Sequence, residues 1–251
     1  MSQFEFAEDR YSNDKLPSGW FRRCGRTGLQ LPAISLGCWH NFGDPGTDAV
    51  RHTDEAAMHQ SAKDMLFTAF DNGITHFDLA NNYGPGPGAA ETRVGRILKE
   101  NFASYRDELV ISTKAGYRMW PGPYGEWGSR KYLLTSLDSQ PEAPTNRLRR
   151  HLLFPPIRPE HTAGRDHGRV GLRPFASGKA IYSAISNYSA EQTRRAIVLC
   201  DADGFIKPIL HQPSYSLLNR WIRAGPLSHH LRRPRGRYHS VLPTITGTAD
   251  G

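Results

Sequence analysis

Three residue types that together can move a proton lie close along the first half of this chain: Asp78, Tyr83 and Lys114. A tyrosine alone is a poor acid at neutral pH, because its ordinary pKa is near 10. A lysine ammonium beside the phenol favours the phenolate, and a carboxylate beside that lysine keeps it charged and oriented. So assisted, Tyr83 can act as general acid toward a carbonyl oxygen while a hydride arrives at the carbon. Taken singly, an Asp or Lys at a strand end is ordinarily a solvated loop residue, so the trio needs elements that bring it together.

The surrounding sequence supplies such elements. THFDL (75–79) reads as a strand ending near Asp78, and LVIST (109–113) as a strand running into Lys114, β-branched at three of five positions. Tyr83 falls in the loop after the first of them. Thr53–Asn72 reads as an amphipathic helix, capped by Thr53 or Asp54 and closed by Gly73, and Ala89–Phe102 reads as the next helix. AISLG (33–37) precedes both as a short buried strand, and Phe21–Leu31, with turn signals at Gly25 and Gly28, reads as a hairpin. Further on, Ala180–Ile185, Ser189–Cys200 and Pro208–Leu210 continue as strand, helix and strand. This alternation predicts an α/β protein with a parallel sheet. In a barrel of that kind, groups at the C-terminal strand ends and in the loops after them are the ones placed for catalysis.

Composition narrows the class. The chain has 251 residues, and a (β/α)8 barrel typically needs about 250. No apolar run approaches the roughly 20 residues of a membrane span. The start, MSQFEFAEDRYSNDK, has neither the basic nor the apolar region of a secretory signal. Three scattered cysteines, Cys24, Cys38 and Cys200, make neither a disulfide framework nor a zinc site. No metal is expected, and a cytoplasmic protein is. The net charge of +8 sits in two stretches: Ser139–Phe175 has seven Arg against three acidic residues, and Arg223–Gly251 has five Arg against one Asp. Neither contains Lys, and together they hold nine of the 18 prolines. They lack the interleaved aromatics of a nucleic-acid platform, so no nucleic-acid partner is expected.

FDLANNYGPGPGAAE (77–91), ELVISTKAGY (108–117) and LGCWHNFG (36–43) closely resemble the aldo-keto reductases. The nearest branch is the bacterial glyceraldehyde 3-phosphate/methylglyoxal reductases, related to potassium-channel β subunits. MWPGPYGEWGSRKYLLTSLD (119–138) and HQPSYSLLNRW (211–221) match at the same level. The resemblance implies a (β/α)8 TIM barrel over residues 17–222, a small-aldehyde substrate, NADPH as cofactor and Tyr83 as the acid. Its catalytic tetrad comprises Asp78, Tyr83, Lys114 and a His at the end of the fourth strand. It also implies that Trp39 lines the substrate and nicotinamide region and that Asp78, Ser186, Asn187 and Gln212 lie about the cofactor. Ordinary packing remains the alternative for Trp39 and Gln212. Trp120, Tyr124 and Trp127 read equally as pocket lining and as loop packing. Relatives often associate, so a homo-oligomer is an open expectation.

The chain departs from this family where the fourth strand should follow Asp138. Residues 139–176 form an Arg- and Pro-rich insert with no sustained period, and His151, His161 and His167 within it have no family-like context. The barrel is therefore expected to be incomplete, its fourth strand replaced by unrelated sequence and its last βα units missing. Residues 223–251 are expected to be a disordered tail. Back-translating Thr145–Phe175 and reading one base displaced allows DYVDIFYSHRFDPNTPLEETMGALDFARS, which resembles the missing strand, its His and the following helix. Val241–Gly251 treated likewise allows AFCPLSQGLLT. A pair of frame changes is therefore the hypothesis for both odd compositions. Impaired aldehyde reduction is the leading expectation; the alternatives are a non-catalytic regulatory module like the channel β subunits, or an inactive pseudogene product.

Overall fold

A computed structural model describes residues 6–43, 54–84, 86–126, 130–138, 150–154, 180–202 and 206–224. Along them run β1 (Phe21–Arg23), β2 (Gln30–Pro32), β3 (Leu36–Gly37), α1 (Glu55–Asp71), β4 (His76–Asp78), α2 (Ala89–Asn101) and β5 (Val110–Lys114). After these come α3 (Arg130–Asp138), β6 (Arg150–Phe154), β7 (Ala180–Ser186), α4 (Ala190–Ala202), β8 (Pro208–Gln212) and α5 (Trp221–Ala224). The expected α/β alternation is present. β1 and β2 form a two-stranded sheet, and the other described strands form no closed barrel. Two compact units result. One is built on Leu31–Thr113 with the N-terminal segment up to Arg22; the other on Lys114–Asp138 and the chain from Arg149, with the turn Arg23–Gln30.

In the first unit, α1 starts where Asp54 accepts a hydrogen bond from the Ala57 backbone N–H at 2.9 Å, which satisfies one of the free donors of a helix start. Thr53, the other candidate cap, lies outside the described residues. Met58, Ala62, Leu66, Phe67, Ala69 and Phe70 are buried along one face of α1. Gly73 ends the helix at φ +71°, and a Cβ there would meet Leu16 Cδ1 at 2.8 Å. The Trp20 indole N–H donates to the Gly73 carbonyl at 2.9 Å, so the loop before β1 seals this end.

On α2, Ala90, Val94, Ile97 and Leu98 turn inward onto a core that also holds Phe77, Leu79 and Ile111. Phe6 belongs to the same core. Its ring lies 4.8–4.9 Å from those of Phe67, Phe70, Phe102 and Tyr105. β3, β4 and β5 are parallel, with Gly37 opposite Asp78 and Asp78 opposite Ser112.

In the second unit β7 pairs in parallel with β6 on one side and with β8 on the other. The strand β6 corrects an expectation. Residues 139–176 carry no sustained period, and no strand was anticipated there, yet Arg150–Phe154 forms one next in chain order after β5. The run Leu152, Leu153, Phe154 is too brief to establish a period of either kind. The rest of that segment lies outside the described residues, as does the tail beyond Ala224.

Candidate active site

Asp78 is the last residue of β4 and is fully buried. Its backbone carbonyl accepts from the Cys38 N–H at 2.9 Å, which ties the end of β4 to the residue after β3. Its side chain accepts from Ser112 Oγ of β5 at 2.5 Å. Lys114 closes β5 two residues beyond Ser112, and it too is buried, at 4% exposure. Strand residues two apart share a face, so Ser112 and Lys114 face the same side of β5. Thr113 faces the other way and donates to Glu91 of α2 at 2.5 Å. The alternation thus sends one set of polar side chains of β5 to the helix and the other to the interior.

Tyr83 follows in the loop after β4. Its N–H donates to the Ala80 carbonyl at 3.0 Å and its carbonyl accepts from the Ala90 N–H at 3.2 Å, so the loop is anchored to the start of α2. Gly84 comes next at φ +93°, where a Cβ would sit 3.0 Å from Gly43 Cα and Ala89 Cβ. Only glycine suits both the backbone and the space. The Tyr83 ring packs on the core and stacks with Trp39, centroids 5.8 Å apart and planes inclined by 30°. Trp39 remains about one-third exposed. The structure therefore brings Trp39, Asp78 and Tyr83 to the C-terminal ends of β3 and β4, and puts Lys114 at the same end of β5.

The second unit assembles the other three expected residues. Ser186 ends β7 and Gln212 ends β8, directly opposite in register. Ser186 Oγ donates to the Gln212 carbonyl at 3.0 Å, and the Asn187 N–H donates to the same oxygen at 3.2 Å. Asn187 has φ 57°, a left-handed conformation that Asn tolerates better than most residues. Its side chain accepts from the Ser214 N–H at 2.5 Å and donates to Tyr117 Oη at 3.4 Å. Ser186, Asn187 and Gln212 are thus one hydrogen-bonded cluster.

His211 was not singled out in the sequence, although it stands beside Gln212. It is buried at 2% exposure, and its Nε2 accepts from the Tyr188 N–H at 3.2 Å, bracing the turn that holds Asn187. Burial lowers its pKa to about 4. An unfolded chain binds this proton near pH 6.5, so between about pH 6.5 and 4 the unfolded state holds more protons and stability falls with falling pH. His211→Gln is expected to remove on the order of 3 kcal/mol of that pH dependence. Urea midpoints at pH 7 and pH 4.5 check this; an unchanged difference between the two would contradict it.

His151 is the second residue of β6, away from the C-terminal strand end where a barrel places its catalysts. His161 and His167 lie outside the described residues, as does Trp127, while Trp120 and Tyr124 are exposed. Among the described residues no cluster of His, Cys, Asp and Glu could hold a metal, and no helix is long and apolar enough to cross a membrane.

Comparison with known proteins decides the family. Residues 33–143 match the model of the aldo/keto reductase family. L-glyceraldehyde 3-phosphate reductase of Escherichia coli K12 is 49% identical over 208 residues, 80% of this chain and 55% of that protein. The chain belongs to the aldo/keto reductase family. A Schizosaccharomyces pombe protein named for a voltage-gated potassium channel subunit beta is 32% identical over 208 residues, 80% of this chain and 54% of that protein. An Arabidopsis thaliana protein with a name of the same kind is 28% identical over 205 residues, 80% of this chain and 56% of that protein. The chain spans about half the length of the curated relatives it matches. The segment bearing Trp39, Asp78, Tyr83 and Lys114 falls inside the matched region.

Proposed function

We propose that this aldo/keto reductase reduces short aldehydes with NADPH, of the glyceraldehyde 3-phosphate or methylglyoxal type, on a (β/α)8 barrel framework. The observation that carries the reading is that Asp78 and Lys114 end the adjacent parallel strands β4 and β5, while Tyr83, in the loop after β4, stacks on a partly exposed Trp39. The 49% identity to a protein named for reducing L-glyceraldehyde 3-phosphate supports the substrate class.

The residues suit a nicotinamide cofactor. A hydroxyl, two primary amides and their backbone groups form a neutral donor and acceptor set at Ser186, Asn187 and Gln212, which matches a carboxamide. When bound, the cofactor would supply the hydride. Tyr83 then gives its phenolic proton to the carbonyl oxygen. Lys114 stabilises the phenolate left behind, and Asp78 keeps Lys114 charged. Trp39 provides the apolar wall beside the reacting carbonyl, which excludes water.

The rate is set by what accompanies the trio. Among the described residues no histidine stands at the C-terminal end of β6, where the resemblance expects the family's fourth-strand His, and removing one donor to a developing oxyanion typically costs about 10²–10³ in rate. Purified chain is therefore expected to oxidise NADPH with methylglyoxal or glyceraldehyde 3-phosphate about 10²–10³ times more slowly than the E. coli reductase assayed beside it. NADPH binding without any turnover would instead favour a regulatory module of the channel-β kind.

A further inference from the structure

Asp78 is the end of a hydrogen-bonded chain that crosses the first unit from strand to strand. Ser35, just before β3, places its Oγ 2.7 Å from Nδ1 of His76 on β4. His76 Nε2 lies 2.9 Å from Ser112 Oγ on β5. Ser112 Oγ donates in turn to Asp78 Oδ1 at 2.5 Å. The strand geometry makes this possible: His76 and Asp78 are two apart on β4 and share a face, while the parallel register puts Ser112 opposite Asp78. His76, Asp78 and Ser112 are all at most 6% exposed, so water does not compete for the His76–Ser112 and Ser112–Asp78 bonds.

Once Asp78 is a carboxylate, the direction of every bond is determined. An ionised carboxylate only accepts, and a serine hydroxyl has a single proton to give. Ser112 spends that proton on Asp78 and must accept from its other side, so His76 carries its hydrogen on Nε2. A neutral imidazole protonated at Nε2 accepts at Nδ1, and Ser35 donates there. All three donors point toward Asp78. Bonds of this kind favour the charged form of a buried carboxylate, and aligned neighbours polarise one another in the same sense.

We infer that Ser35, His76 and Ser112 are positioning residues that hold Asp78 as an oriented carboxylate, with His76 locked as the Nε2–H tautomer. They touch neither substrate nor cofactor; they act through Asp78. The inference rests on the reductase reading only for what Asp78 then does, which is to hold Lys114, on the same face of β5 as Ser112, in its charged form. The titratable groups near Asp78 along the chain include the thiol of the buried Cys38, whose backbone N–H donates to the Asp78 carbonyl, the Tyr83 phenol in the loop after β4 and Lys114 at the end of β5. Glu91 of α2 is bonded to Thr113 on the opposite face of β5.

The test uses the full chain without cofactor or substrate, so it can fail independently of the reductase reading. Imidazole nitrogen spectra of 15N-labelled protein, with His76 assigned by loss of its signal in His76→Gln, are expected to show a neutral Nε2–H ring between pH 6 and 8. Side-chain carbon spectra of 13C-Asp protein, with Asp78 assigned by Asp78→Asn, are expected to show a carboxylate throughout that range. Ser112→Ala should raise the Asp78 titration midpoint by about one pH unit or more, and Ser112→Thr, which keeps the hydroxyl, should restore it. A His76 ring protonated at Nδ1 would mean that the chain runs the other way, from a protonated Asp78, and would overturn the inference. So would an Asp78 midpoint indifferent to Ser112→Ala. Should that variant fail to fold, the tautomer in the unaltered chain still decides. A chain that passes both readings yet reduces no aldehyde sinks the reductase reading alone.

Discussion

Replacing Tyr83 with Phe is expected to lower the single-turnover rate of aldehyde reduction by 10²–10⁴-fold, the usual worth of a positioned general acid. The substitution removes one hydroxyl and leaves the ring, so the stacking on Trp39 and the packing against the core persist. The backbone bonds of Tyr83 to Ala80 and Ala90 are indifferent to the side chain. Substrate and cofactor affinity should therefore change by no more than about threefold, and the loss should fall equally on kcat and kcat/KM. That is the pattern of an interaction made only in the transition state. Rapid-mixing absorbance at the NADPH band, with enzyme in excess, reads the effect. A variant that keeps the rate would remove Tyr83 from the chemistry.

The second large effect concerns the fold. Phe6→Ala is expected to destabilise the first unit by about 3–5 kcal/mol, the range for deleting a buried aromatic ring. Phe6 is 4% exposed and makes edge-on contacts with Phe67, Phe70 and Tyr105, each such pair worth about 0.5–1.5 kcal/mol beyond area burial. The N-terminal segment is held further by Asp71, which accepts from the Ala7 N–H at 2.9 Å, and by Glu108, which pairs with Arg10 at 2.5 Å. A collapse around an emptied ring site would move Phe67 and Phe102 together, so the loss should appear as one cooperative shift of the urea midpoint. A shift worth less than about 1 kcal/mol, ordinary for surface positions, would mean that the segment does not dock.

Phe6 also shows where the sequence is silent. MSQFEFAEDR reads as a polar, acidic leader, because a single ring among charged residues has no period to betray it. Helices were far more legible. The apolar face of α1, its Asp54 cap and the closing Gly73 follow from spacing and residue type, and α2 agrees to within a residue at either end. Strand β3 was read too long: of Ala33–Gly37 only Leu36 and Gly37 pair with β4. The candidate catalytic trio was visible through strand ends, but the groups behind it were not. His76 and Ser112 do carry a signal, since residues two apart from Asp78 and Lys114 on a strand share a face with them. That signal becomes usable only once the register of β4 against β5 is known. His211 was hidden for a related reason: its partner, the Tyr188 N–H, belongs to the turn after β7, 23 residues away.

The central claim is that this chain moves a hydride to a carbonyl with Tyr83 supplying the proton. The most direct measurement incubates the purified 251-residue chain with methylglyoxal and NADPH deuterated on both hydrogens of nicotinamide C4, followed by mass spectrometry of the alcohol product. One deuterium on the former carbonyl carbon is expected, at a slow rate, with the label falling to the enzyme-free background in Tyr83→Phe. No label above that background in the unaltered chain, or equal label in both proteins, would contradict the account.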